Sequence, residues 1–114
     1  MITIYHNPRC SKSRQALSLL QNNGIQANIV LYLETPPTAE TMKDLLNKLN
    51  MTARELIRKG EAEYKNNHLN DPNLSEDDLI DAMVKTPKLI ERPIVVKGKK
   101  ALLGRPPETV LQLI

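Results

Sequence analysis

A chain of 114 residues, 40% hydrophobic and 25% charged, is the size of one domain with a modest core, and its composition is globular rather than disordered. Lys and Arg number 16 against 13 Asp and Glu; the net charge of +3 does not establish nucleic-acid binding, and three tyrosines without Phe or Trp give bases little to stack on. The single cysteine, Cys10, excludes an internal disulfide framework, a Cys-x-x-Cys couple and a cysteine-rich zinc site, leaving a buried inert thiol or a lone nucleophile.

The first residues show no basic region followed by a long apolar stretch. No apolar run nears the ~20 residues of a membrane span, so a cytoplasmic chain with a reduced thiol is expected. Residues 2–5 are short and β-prone and predict a first strand. Residues 11–23 carry Ala16, Leu17, Leu19 and Leu20 at helical spacing, with Gly24 where a helix C-terminus favours it. Residues 27–33 are nearly all apolar and predict a strand buried on both faces, completing a βαβ unit.

Pro36 and Pro37 then break the chain. Thr38 is placed to cap a helix whose apolar face is Met42, Leu45, Leu46 and Leu49. Thr52-Ala53-Arg54-Glu55 has the capping-box pattern and predicts a short helix ended by Gly60. Residues 61–73 are polar and weakly periodic, a poor helix running into a loop, with His68 as surface. Ser75 opens a further helix with Leu79, Ile80, Met83 and Val84 on one side. Pro93 stands at the entry of a strand continuing through Ile94-Val95-Val96, where a missing N–H is tolerated. Lys97-Gly98-Lys99 turns a hairpin into Ala101-Leu102-Leu103, and a final helix follows with proline in its first turn.

The order β-α-β, helical block, β-β-α is a thioredoxin-like α/β topology. It predicts a four-stranded mixed sheet covered by the first and last helices. One domain over residues 1–114 is expected, with a helical insert at about 38–90 between the βαβ and ββα halves.

Chemistry concentrates in Tyr5-His6-Asn7-Pro8-Arg9-Cys10-Ser11-Lys12-Ser13-Arg14, where Cys10 joins the first strand to the first helix. Amide groups of a first helical turn lack internal acceptors, and the helix dipole is positive there; both favour a thiolate. Arg9, Lys12 and Arg14 add positive charge, and Ser11 or Ser13 can donate to sulfur. A small buried hydrophobe is the other common fate of a free cysteine, but these neighbours are polar and basic. A phosphatase-type Cys-x5-Arg loop would need arginine where Ala16 stands, and Ser13 in place of a second cysteine makes the pattern monothiol.

His6-Asn7-Pro8-x-Cys10-x-x-Ser13-Arg14 resembles the active-site loop of the glutaredoxin-coupled arsenate reductases. The resemblance continues through residues 31–38, 54–59, 92–96 and 104–108, blocks spread in family order over the whole chain. It implies Cys10 as nucleophile, Ser13 and His6 as supporting residues, Arg58, Arg92 and Arg105 as oxyanion ligands, and a cis peptide bond before Pro93. It also implies arsenate as substrate, glutathione as co-substrate and glutaredoxin as partner, with no bound cofactor. A monomer with no nucleic-acid or membrane partner is expected.

The residues themselves bear on those roles. Arg54 and Arg58 read as a like-charge i,i+4 helical pair, and without the resemblance Arg58 reads first as a solvated helix end. Arg92, between Leu89-Ile90 and an apolar strand, is better explained by an anion. Arg105 leaves a strand toward a helix N-terminus, an anion-friendly place. His6 is placed to orient the loop, or less simply to act as a base. No cluster of His, Asp or Glu has metal-ligand spacing. Arg9, Ser11 and Lys12 depart from the family loop, which keeps open a thiol-dependent reductase of another substrate. A polymerase-binding redox regulator of the same fold is the other alternative.

Overall fold

Ile2 and Ile4 alternate with Thr3 and Tyr5, and this two-residue period makes β1 (Ile2–Tyr5) the strand around which the first half of the molecule is built. The computed structural model describes residues 1–114. They fall into two units, one of residues 1–35 and 92–114, the other of residues 36–91. No helix is long and apolar enough to cross a membrane.

In the first unit β1 pairs in parallel with β2 (Asn28–Val30) and antiparallel with β3 (Ile94–Lys97). Strand β4 (Lys100–Leu103) adds antiparallel to β3, giving a mixed sheet of order β2-β1-β3-β4. Helix α1 (Ser11–Asn22) lies between β1 and β2 in sequence, and a 3-10 helix (Pro107–Leu113) ends the chain. Both pack on the face carrying Ile2, Ile4 and Val95, with Ala16, Leu20, Val110 and Leu113 completing one buried cluster. Full burial of each large aliphatic side chain there stabilises by about 1.5–3 kcal/mol. This is the expected thioredoxin-like arrangement.

Two predicted elements of this unit differ. Residues 27–33 do not form a strand buried on both faces: β2 is three residues long at the sheet edge, and Asn28 and Ile29 are exposed. Only β1 flanks it, and after Val30 the chain turns back, with the Thr35 amide donating to the Leu31 carbonyl at 2.8 Å. Its apolar residues serve separate ends, since Tyr32 is buried while Leu33 is exposed. The final helix is 3-10 rather than α. Its buried residues, Pro107, Val110 and Leu113, recur every third position, which suits three residues per turn.

The second unit is helical. In α2 (Ala39–Leu49) Thr38 accepts from the Thr41 amide, and Met42, Leu45 and Leu46 are buried. Thr52 and Glu55 form the capping box of α3 (Ala53–Leu56), and Ser75 and Asp78 form another on α5 (Glu76–Lys85). Between them lies α4 (Ala62–Asn66), a single turn followed by loop, as the weak periodicity suggests. Helix α5 packs on α2, on α3 and on a 3-10 turn (Pro87–Leu89), burying Leu56, Leu79, Ile80, Met83 and Leu89. Helix α3 stops well before Gly60. Ile57 is extended and pairs antiparallel with Ile90, so the chain leaves the helix to make a β-bridge.

Candidate active site

Strand β1 delivers the chain into a tight loop that ends on Cys10. The His6 amide donates to the Val30 carbonyl at 2.8 Å, the last sheet contact before the turn. The Asn7 side chain then accepts from the Arg9 amide at 3.0 Å, and the Cys10 amide donates to the Asn7 carbonyl at 3.0 Å. Asn7 thereby closes the turn over Pro8 and Arg9 twice. Cys10 is extended (φ −94°, ψ 122°), and its carbonyl accepts from the Arg14 amide at 3.0 Å, which makes it the N-cap of α1. Its thiol is free and partly exposed. The first turn of α1 carries no acidic side chain, so its amides and the positive end of the dipole face an anion without competition.

Beneath the loop sit His6 and Ser13, the two buried polar residues of the chain. His6 Nδ1 lies 2.6 Å from Ser13 Oγ, and the Asn7 amide donates to the same Oγ at 3.0 Å. Burial, and then the charge of Arg14, hold His6 below its ordinary value of 6.5, which favours the neutral imidazole. Arg14 donates from Nη1 to the Pro8 carbonyl at 2.9 Å and braces the loop from outside. The hydroxyl of Ser13 is thus engaged by His6 and Asn7, which locks the loop onto α1. Beside it opens a cavity of about 270 Å³ lined by His6 to Arg9 and by Leu31, Leu33 and Glu34.

The register brings two of the expected arginines to the same end of the sheet. Tyr5 is opposite Ile94, and Ile94 is opposite Leu103, so one row holds the end of β1, the start of β3 and the end of β4. From that row emerge the Cys10 loop, Arg92 and Arg105. The Arg92–Pro93 bond is cis, and so is Arg105–Pro106, which the sequence did not signal. Arg105 Nη1 lies 3.3 Å from the Arg92 carbonyl, and the Gly104 amide donates to the Pro93 carbonyl at 2.9 Å. Gly104 is needed for this approach. A Cβ there would stand 2.7 Å from Pro93 Cγ and 3.2 Å from both Ala16 Cβ and Val110 Cγ1.

Arg58 belongs to the second unit, on the bridge that follows α3. It is not a solvated helix end, nor one half of a helical pair with Arg54, because the helix has already ended. Its Nη1 donates to Glu61 Oε1 at 2.7 Å, and its Nε lies 3.6 Å from Glu91 Oε1. Arg54 points elsewhere: it donates to the carbonyls of Leu69 and Asp71 and to the Tyr64 hydroxyl, tying the 64–71 segment to α3. Glu61, Glu91 and Gly104 were not singled out from the sequence. No local periodicity marks them, since each acts through a neighbour fixed by the fold.

Residues 5–113 match the model of the ArsC family. An uncharacterized protein of Escherichia coli strain K12, YfgD, is 58% identical over 114 residues, covering 99% of this chain and 96% of that one. An arsenate reductase of Neisseria meningitidis serogroup B is 50% identical over 110 residues, covering 96% and 94%. The solved structure of an arsenate reductase from Vibrio cholerae superposes with a TM-score of 0.97 at 49% identity, covering 99% of this chain and 97% of that one. A match from Tyr5 onward and half-identity along almost the whole length lead to one conclusion: the chain belongs to the ArsC family, on a thioredoxin-like fold.

Proposed function

We propose that the chain reduces arsenate to arsenite through Cys10, with glutathione as co-substrate and glutaredoxin as the partner that resets the enzyme. The observation that carries this reading is the position of Cys10, the sole and partly exposed thiol, at the N-terminus of α1 on the row of the sheet from which Arg92 and Arg105 emerge. The names of half-identical relatives support the same chemistry. Arg92 and Arg105 hold the oxyanion, and the resemblance assigns Arg58 the third place. Charge-assisted hydrogen bonds of about 1.5–3 kcal/mol each suit a dianion taken from water.

The steps follow from one thiol. The Cys10 thiolate attacks arsenic(V), forming an S–As bond as water leaves. Glutathione thiolate then attacks the Cys10 sulfur; the S–As electron pair stays on arsenic, which departs as arsenite. Cys10 is left in a mixed disulfide with glutathione, and glutaredoxin removes the glutathione by thiol–disulfide exchange. Two electrons come from two thiols, only one of them the protein's. His6 and Ser13 hold the loop in the attacking geometry, and the partly exposed thiol of Cys10 is open to a second thiol.

Arsenite release in the presence of glutathione and glutaredoxin tests the reading. Cys10→Ser is expected to abolish turnover, and Arg92→Ala to lower kcat/KM by about tenfold or more. Activity persisting in Cys10→Ser, or turnover unaffected by omitting glutathione, would overturn it.

A further inference from the structure

Arg58 has two anionic partners within its own unit. Its Nη1 meets Glu61 Oε1 at 2.7 Å and its Nε faces Glu91 Oε1 at 3.6 Å, with all three side chains only about a quarter exposed. The backbone holds the carboxylates there. Ile57 bridges Ile90, the Arg58 amide donates to the Leu89 carbonyl at 2.7 Å, and the Glu91 amide donates to the Leu56 carbonyl at 3.3 Å. Residues 58 and 91 therefore flank one antiparallel bridge. Glu61 lies three residues beyond Arg58, at the start of α4. The adjacent cation, Lys88, makes its ion pair with Glu63, while the Glu61 carboxylate makes its hydrogen bond to Arg58.

The Arg58 guanidinium is therefore already engaged by two carboxylates, one of them at hydrogen-bond distance. A dianion cannot use the same donors without displacing at least Glu61, and it approaches against both charges. We propose that Glu61 and Glu91 are resident counter-anions of Arg58, which the incoming oxyanion must displace, and that they set the affinity of this chain for its substrate. The inference rests on the oxyanion role proposed above for Arg58. It adds two specificity-determining residues that contribute no ligand of their own. They keep the guanidinium compensated when the site is empty, and they select for an anion dense enough in charge to outcompete a carboxylate.

The test compares the full-length parent with Glu61→Gln, Glu91→Gln and the double variant; glutamine keeps the shape and removes the charge. Glu40→Gln, on the exposed start of α2, controls for net charge alone. Two quantities are measured: the Kd of inorganic phosphate by calorimetry, and KM and kcat for arsenate. The expected result is a fall in both Kd and KM, roughly fivefold for the double variant and larger for Glu61→Gln than for Glu91→Gln, with kcat held and Glu40→Gln unchanged. A rise or no change in Kd and KM overturns the proposal, and a rise would mean that the carboxylates orient Arg58 for binding. Arsenate turnover with Kd and KM unmoved by the glutamines removes this inference and leaves the reductase reading intact. Tighter phosphate binding in a protein that reduces no arsenate does the reverse. Absence of both phosphate binding and arsenate turnover in the parent and every variant overturns both.

Discussion

At Ser13 one hydroxyl serves two neighbours, the buried His6 Nδ1 at 2.6 Å and the half-buried Asn7 amide at 3.0 Å. Ser13 is fully buried and His6 nearly so, while Asn7 is half-buried. Ser13→Ala removes the partner of the buried His6 Nδ1, at a cost of about 1–3 kcal/mol. A drop of that size in unfolding free energy, read from urea titration, is the expected outcome. Alkylation of Cys10 by iodoacetamide should change with it, because the same hydroxyl fixes the loop that presents the sulfur. Gly104 raises the opposite problem, too little room. Gly104→Ala would place a methyl against Pro93, Ala16 and Val110, two of which belong to the buried cluster. Overpacking of this kind costs about 1–3 kcal/mol, and a lower urea midpoint at unchanged slope is the expected reading. The sequence marked Ser13 through its spacing from Cys10. It could not mark the crowding at Gly104, which three distant segments create.

At the scale of elements, features that close within one turn were legible and features set by distant partners were not. Thr38, Thr52 and Ser75 cap their helices as read, because a cap is a bond between a side chain and an amide three residues on. Thr52→Ala is expected to cost about 1 kcal/mol of stability. It should also raise the Glu55 carboxyl, which the Thr52 amide and then its hydroxyl hold below the ordinary 4.5. Titration of Glu55 by NMR checks the second effect; because alanine keeps the amide, an unmoved carboxyl would mean that the hydroxyl contributes nothing to it. The end of α3 was misread for the complementary reason. Gly60 is a sound local stop signal, but Ile90 takes Ile57 into a bridge before the helix reaches it. That one non-local pair decided the surroundings of Arg58, turning an apparent helix-end cation into the centre of an ion-pair cluster. Strand β2 shows the same limit. A run of apolar residues does not reveal whether a strand has one neighbour or two, and here it has one.

For the whole molecule, the buried histidine couples folding to pH in a range where ordinary carboxylates are silent. Burial and Arg14 disfavour the charged form of His6 in the folded chain, whereas the unfolded chain takes up its proton near 6.5. Above that value neither state binds the proton and the contribution to stability is complete. As the pH falls through 6.5 toward the lower folded value, the unfolded state binds more protons and stability declines. Glu55 and Glu63 are held below 4.5, Glu55 chiefly by the Thr52 amide and Glu63 chiefly by Lys88, so their contributions are lost only at lower pH. The expected profile has two separate declines, and the first belongs to the loop that carries Cys10. Urea midpoints measured between about pH 7.5 and 5.5 should fall in the parent and stay nearly level in His6→Gln, while the decline below about pH 4.5 persists in both. An equal slope in the two proteins above pH 5.5 would show that His6 is not the group responsible. The level profile in His6→Gln would tie acid sensitivity of the fold to the residue that orients the nucleophile's loop, so that mild acid loosens the reactive end of the sheet first.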